Sequence, residues 1–308
     1  MSAGLNMSKL ASRSGYFSFD YSEYPSIIRG GHNLMQIVVS DEPVRAQYKT
    51  ADFLVALNKE TIDLHVEELE DGGSLLCDEE SKPLFQKLKK INIFLIPINK
   101  IAKELGGSLL LRNTAALGAS IALLGGDLKI FKNLVAQEFS AKDPKITENN
   151  FAVCQAGYDY AKKNYGDKIK NILKPRQSET KMVINGNEAI SLGAVAAGMQ
   201  FSAIYPMTPI SGILHSLALL QKKYGFVCKQ PEDEIAAINM AIGASFAGAR
   251  SLVATSGGGF CLMTEAYGLA GMTETPLVII EGMRGAPATG LPTWTEQGDL
   301  RMVLHAHH

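Results

Sequence analysis

An α/β fold with two doubly wound domains is what this sequence predicts. Short apolar runs alternate with longer stretches of helical periodicity over 52–96 and again over 182–281, the rhythm of parallel strands joined by helical crossovers. A polar, proline-broken segment separates the two series, and 308 residues are enough for a core on each side of it.

In chain order, residues 1–14 read as a helix carrying Leu5, Leu10 and Ala11, and the run Tyr16-Phe17-Ser18-Phe19 as a strand. Tyr24-Pro25-Ser26 and Arg29-Gly30-Gly31-His32-Asn33 form a loop before a strand over 35–40. The glycine pair allows backbone N–H groups to approach a ligand, with Arg29 as an anion partner, so Arg29, Gly30, Gly31 and His32 are a candidate ligand-side or interface loop. A tight turn with a solvated arginine accounts for the same residues equally well. Strands are expected over 53–57, 74–77 and 93–96, with a helix starting near Lys59.

Helices follow from Asn99, over 113–124, over 131–139 and over 146–165. The stretch 113–124 is apolar on almost every side, which predicts a buried or interface helix. Phe151, Cys154, Tyr158 and Ala161 recur at helical spacing and read as a core stripe. The first domain is expected to take in 1–172, a linker 173–181 with Pro175, and the second domain 182–308.

The second domain opens with a helix over 187–199 and a strand over 201–204, followed by the proline-bracketed turn Tyr205-Pro206-Met207-Thr208-Pro209. After another helix and a strand over 226–229, Glu232, Asp233 and Glu234 open an apolar helix over 235–247. Ligands of open parallel sheets bind outside the carboxyl ends of the strands, so Thr208 and these acids are expected to share one site. Pro206 and Pro209 fix the backbone around Thr208, whose hydroxyl either donates to a ligand carboxylate or caps the next helix. Acids in a first helical turn complement the macrodipole, which accounts for all three. The helix behind them is nevertheless so apolar that one carboxylate is expected to be dry and suited to proton transfer, and Glu234 adjoins the apolar run.

Ser256-Gly257-Gly258-Gly259 lies between a strand over 251–255 and a helix over 260–271. It lacks the Gly-x-Gly-x-x-Gly spacing, and Glu281 is the only acid suitably placed at a following strand end, so NAD binding is not expected. The strand over 277–281 leads into a Gly/Pro-rich loop over 282–293. There Arg284 is either a fixed guanidinium able to clamp a carboxylate or a plain surface arginine.

Composition removes several function classes. A net charge of −1 and the lack of basic clusters interleaved with aromatics argue against nucleic-acid binding. The longest apolar stretches, 115–125 and 242–249, fall short of the roughly 20 residues a membrane-spanning helix needs. Cys77, Cys154, Cys228 and Cys261 are dispersed without a Cys-x-x-Cys pair, which argues against a zinc or iron–sulfur site on this chain and for reduced thiols in the cytoplasm. His305, His307 and His308 have no acid or cysteine beside them and are assigned no metal role.

The turn Tyr205-Pro206-Met207-Thr208-Pro209, together with EDEIAAINMAIGASFAGARS, TSGGGFCLMTEAYGLAGMTETP and GMRGAPATGLPTWTEQGDL, resembles the thiamine-binding, pyrimidine-type domain of the α subunit of 2-oxoacid:ferredoxin oxidoreductases. SRSGYFSFDYSEYPSIIRGGHN and QIVVSDEPV resemble the γ-type domain fused ahead of it in 2-oxoglutarate-type subunits. The resemblance implies coenzyme A-dependent oxidative decarboxylation of a 2-oxoacid to an acyl-CoA, with electrons passed to ferredoxin. Carried onto this chain, it gives Glu234 the contact with the aminopyrimidine of thiamine diphosphate, with Tyr205 and Pro206 beside the cofactor. It gives Thr208 and Arg284 the 2-oxoacid carboxylate, with Thr289 and Thr293 as further pocket residues, and the loop at Arg29 to His32 a place near coenzyme A or an interface. Magnesium with its Gly-Asp-Gly signature and a [4Fe-4S] cluster are expected on a β-subunit partner. The chain is expected to be a piece of a longer α subunit, truncated at both ends. A non-catalytic assembly module of such a complex is the alternative.

Overall fold

The structure, a computed structural model, describes residues 2–23, 31–81, 90–138, 144–179, 181–283 and 299–306. They divide into two units, one ending at Val183 and the other beginning at Ile184.

In the N-terminal unit, helix α1 (Ser2–Arg13) precedes strands β1 (Phe17–Glu23) and β2 (Leu34–Ser40). These two strands pair antiparallel, Phe17 opposite Ser40 and Glu23 opposite Leu34. Strand periodicity reveals both strands but not their partner; the connection between them is too short for a crossover helix, so they fold back as a ribbon of their own. Next come β3 (Ala51–Ala56), α2 (Lys59–His65), β4 (Leu69–Asp78) and β5 (Asn92–Ile96), a parallel sheet in the order β3-β4-β5. Asn58 starts α2 by accepting the Thr61 N–H at 2.8 Å. The middle strand is covered on both faces. Leu75 and Cys77 join the cluster of Leu54, Ala56 and Ile62, while Leu76 faces the opposite cluster with Phe94, Ile96 and Ala119.

The rest of the unit is helical: α3 (Ile98–Gly106), α4 (Arg112–Leu123), α5 (Leu128–Glu138) and α6 (Pro144–Tyr165). Every residue of α4 from Ala115 to Leu123 is buried, as its all-round apolar pattern predicts. Residues beyond α6 are tied to this unit: Leu173 lies in the core with Leu10, Tyr16 and Phe131, and the Tyr16 hydroxyl donates to the Lys174 carbonyl at 2.9 Å. Arg176 pairs with Asp41 and lies over the Tyr16 ring. Among the described residues of both units, no helix is long and apolar enough to cross a membrane.

The C-terminal unit comprises α7 (Gly186–Ala196), β6 (Phe201–Ala203), α8 (Ser211–Tyr224), β7 (Val227–Lys229), α9 (Glu234–Phe246), β8 (Ser251–Ser256), α10 (Gly257–Met272), β9 (Val278–Gly282) and α11 (Leu300–His305). A capping box of Asn185 and Glu188 opens α7. The four strands are parallel in the order β7-β6-β8-β9. Helices cover both faces. Ile204, Leu252 and Ala254 pack with Ile213, Leu214 and Leu217 of α8, whereas Ala203 and Val253 pack with Ala237, Ile238 and Ala241 of α9 and Met263 of α10. This is the doubly wound arrangement the alternating pattern predicts.

Helices α4 and α6 approach each other through glycine. A methyl group at Gly118 would overlap the Cys154 carbonyl oxygen, and one at Gly157 the Ala115 carbonyl oxygen, both backbone atoms that cannot rotate away. Gly118→Ala or Gly157→Ala is therefore expected to destabilise the N-terminal unit by about 3 kcal/mol. Gly193→Ala, at a helical glycine with nothing within 4 Å, should instead be neutral or stabilising by up to about 1 kcal/mol. Urea midpoints of the three variants check this, and equal midpoints would show that the α4–α6 contact is not tight.

Candidate functional site in the C-terminal unit

Because all four strands run the same way, their carboxyl ends lie along one edge of the sheet. The chain passes from β6 outward to β7 and then returns to the other side of β6 to form β8. The order thus reverses between β6 and β8, where connections leave in opposite directions and open a crevice. The Tyr205 to Pro209 turn follows β6 on one side of this crevice, and Ser256 to Gly259 follow β8 on the other.

Thr208 is half-buried in the turn, and its peptide bond to Pro209 is cis. It does not cap α8, whose N-cap is Ile210 without a side-chain hydrogen bond. Asn187 of α7 donates to the Pro209 carbonyl at 3.0 Å. The end of β9 closes on the same turn: a methyl group built on Gly282 would overlap Ile210 Cγ2 and lie 3.2 Å from Pro209 Cγ.

The three acids after β7 have separate fates. Glu232 is exposed. Asp233 is the N-cap of α9, accepting the Ala236 N–H at 2.7 Å, so the ordinary capping role accounts for it. Glu234 is 4% exposed, and its Oε1 is buried without a hydrogen-bond partner among the described residues. It is the dry carboxylate expected from the apolar helix behind it.

Sequence reasoning missed the residues at the end of β8. Thr255 and Ser256 are fully buried at the end of β8, and Ser256 Oγ has no hydrogen-bond partner among the described residues although Ser256 is the N-cap of α10. Gly259, in the first turn of α10, lies against Glu234 and Thr255. The only hint in the sequence was a serine before three glycines at a strand end, which a dinucleotide test discards for its spacing.

A second acid was also undervalued. Glu281 is the register partner of Thr255, and residues paired across parallel strands point to the same face of the sheet. Its Oε1 and the Oδ2 of Asp299, ahead of α11, are both buried and unpartnered among the described residues. Burial, reinforced by the Asp299 charge, pushes the Glu281 carboxyl up from the ordinary 4.5 to about 7.

Of the other expected site residues, Tyr205 and Pro206 are half-buried in the β6 turn. Arg29, Gly30, Arg284, Thr289 and Thr293 lie outside the described residues. Gly31 is exposed, and His32 is engaged inside the N-terminal unit, its Nε2 2.8 Å from His65 Nε2, while His65 Nδ1 bonds Glu68 at 3.0 Å. A carboxylate accepts only, so Glu68 keeps a proton on His65 Nδ1, and in the neutral ring His65 Nε2 accepts from His32.

The Glu281 shift has a testable sign. A carboxyl whose pKa is raised on folding contributes stability at low pH that is lost as pH rises, here between 4.5 and about 7. After allowance for solvent screening the loss should be about 1–2 kcal/mol. Glu281→Gln should flatten this dependence of the urea midpoint between pH 5 and pH 8; an equally steep slope in the variant would place the titrating group elsewhere.

Comparison with known proteins agrees with this architecture. Residues 192–307 match the family model described as Pyruvate flavodoxin/ferredoxin oxidoreductase, thiamine diP-bdg, and residues 1–160 match Pyruvate ferredoxin/flavodoxin oxidoreductase. The 2-oxoacid:ferredoxin oxidoreductase subunit alpha of a Sulfolobus species is 32% identical over 347 residues, covering 96% of this chain and 54% of its own length. The 2-oxoglutarate synthase subunit KorA of Archaeoglobus fulgidus is 51% identical over 126 residues, 41% of this chain and 36% of that subunit. A solved 2-oxoglutarate:ferredoxin oxidoreductase from Magnetococcus marinus, with 2-oxoglutarate, coenzyme A and succinyl-CoA bound, superposes with a TM-score of 0.91 at 30% identity, over 100% of this chain and 54% of that one. The chain spans about half the length of the full-length curated relatives it matches. With one family model covering 1–160 and a second covering 192–307, this chain belongs to the pyruvate ferredoxin/flavodoxin oxidoreductase family.

Proposed function

We propose that this chain supplies, within the α subunit of a 2-oxoacid:ferredoxin oxidoreductase, the pyrimidine half of a thiamine diphosphate site and the clamp for the 2-oxoacid carboxylate. The observation that carries this reading is Glu234: a buried carboxylate with an unbonded oxygen, within the segment that matches the thiamine-binding family model. An orphaned acid of that kind fits the ring nitrogen of an aminopyrimidine, which would complete its hydrogen bonding. The Ser256 hydroxyl at the end of β8, without a partner among the described residues, is a further polar group suited to a heterocycle edge.

Thiamine diphosphate, when bound, supplies the electron sink that decarboxylation of a 2-oxoacid requires. Glu234 holds and returns a proton at the pyrimidine nitrogen, and its dry surroundings keep that proton from exchanging freely with water. Thr208 donates its hydroxyl to the substrate carboxylate, and Arg284 adds a bidentate clamp, with Thr289 and Thr293 completing the pocket. Tyr205 and Pro206 line the cofactor side of the turn. The Arg29, Gly30, Gly31 and His32 loop serves coenzyme A or an interface. The product is an acyl-CoA, and the electrons leave to ferredoxin through an iron–sulfur cluster on a β subunit that also brings magnesium.

Exposed apolar side chains on α9 and α10, among them Phe246 at 78% and Met272 at 82%, supply a surface for that subunit. The four cysteines are free, which suits a reducing cytoplasm.

In the enzyme assembled with its partner subunit, Glu234→Gln is expected to lower turnover by at least about 100-fold without changing the fold, because the amide cannot relay the proton. Wild-type turnover would remove Glu234 from the mechanism. The isolated chain is expected to bind thiamine diphosphate and magnesium more weakly than micromolar in calorimetric titration, since the diphosphate and its ion need oxygen ligands assigned to the partner. Tight binding by the chain alone would show that the diphosphate is held here.

A further inference from the structure

Among the described residues Glu234 makes no hydrogen bond through Oε1, so packing among them defines where that oxygen points. Two residues of the β8–α10 junction do the packing. A methyl group built on Gly259 lies 2.6 Å from Glu234 Cγ and 2.8 Å from Glu234 Oε1, and it overlaps Thr255 Oγ1. Gly259 sits inside helix α10, in a conformation any residue adopts, so the glycine is required by close approach and not by backbone freedom. Thr255 is fully buried, and its hydroxyl is directed to the Ser256 carbonyl at 3.3 Å.

The contacts at Gly259 involve side-chain atoms, Thr255 Oγ1 and Glu234 Cγ and Oε1, in contrast to the backbone overlaps at Gly118 and Gly157. An added methyl can thus be accommodated by moving Thr255 and Glu234, with the two helices and the strand left in place. The atoms that give way include the carboxylate read above as the acid–base group. Displacements on the order of 1 Å at such a group cost about 100-fold in rate.

We propose that Gly259 and Thr255 are positioning residues for Glu234, forming a slot with no room for a Cβ that sets how far the carboxylate reaches into the crevice. The slot rests on the reading of Glu234 given under the proposed function. It also gives the Ser256-Gly257-Gly258-Gly259 run a role: its last glycine admits an acid from a neighbouring helix.

Two measurements test this. In the assembled enzyme, Gly259→Ala should lower kcat by about 100-fold with KM for the 2-oxoacid unchanged, and adding Thr255→Ala should recover part of the loss by vacating space. In the isolated chain without cofactor, the carbon-13 carboxyl resonance of Glu234, assigned by its disappearance in Glu234→Gln, should shift in Gly259→Ala and move back in the double variant. An unmoved resonance, whether or not the melting temperature falls, overturns the slot and makes Gly259 an ordinary packing glycine. Wild-type kcat in Gly259→Ala, with Glu234→Gln inactive, overturns it as well. Normal turnover in Glu234→Gln would instead overturn the proposed function, and the resonance alone would then decide the slot. Should Gly259→Ala not fold, Thr255→Ala removes a wall instead of adding one: a shifted resonance supports the slot and an unchanged one refutes it.

Discussion

A carboxylate held out of water, with one oxygen unbonded among the described residues, is the constraint around which the C-terminal unit is arranged. Leaving such a group buried costs on the order of 1–3 kcal/mol, and Glu234 stays 4% exposed all the same. The offset comes from the helix it opens, whose Ala237, Ile238, Ala241 and Ile242 are buried against the sheet. A buried isoleucine alone contributes about 1.5–3 kcal/mol. Asp233 satisfies the start of the helix, so Glu234 is not needed as a cap.

The sheet order puts this acid near the strand ends where ligands of such folds bind. Parallel strands put every connection toward a helix at one edge, and the order reverses between β6 and β8, the place where sheets of this kind bind ligands. The Thr208 turn is held there by Asn187 and by the end of β9, the acid by α9, and the glycine turn by β8. No single segment could supply all of these, because each follows a different strand. Glu281, on the edge strand beyond β8, and Asp299 each bury a carboxyl oxygen that has no partner among the described residues.

The N-terminal unit uses glycine in another way. At α4 and α6 the missing side chains let two backbones touch; at Gly259 the missing side chain makes room for Glu234 and Thr255. The same residue type admits a backbone in one unit and side chains in the other, and the difference lies in whether the neighbour is a carbonyl or a side-chain atom.

Much of this was legible in the sequence. Periodicity placed the strands and helices, the all-apolar run marked α4 as buried, and the contrast between one acid and the apolar helix behind it singled out Glu234. These features depend on neighbours a few residues apart, which the chain itself fixes. What only the tertiary structure decided is that Thr208 does not cap α8, that β1 and β2 pair as a ribbon, and that Gly259 lies against both Thr255 and Glu234. Those outcomes depend on strand order and on atoms brought together from distant positions. No local pattern encodes an unpaired hydroxyl or a gap too small for a methyl group, because both are properties of the space between elements.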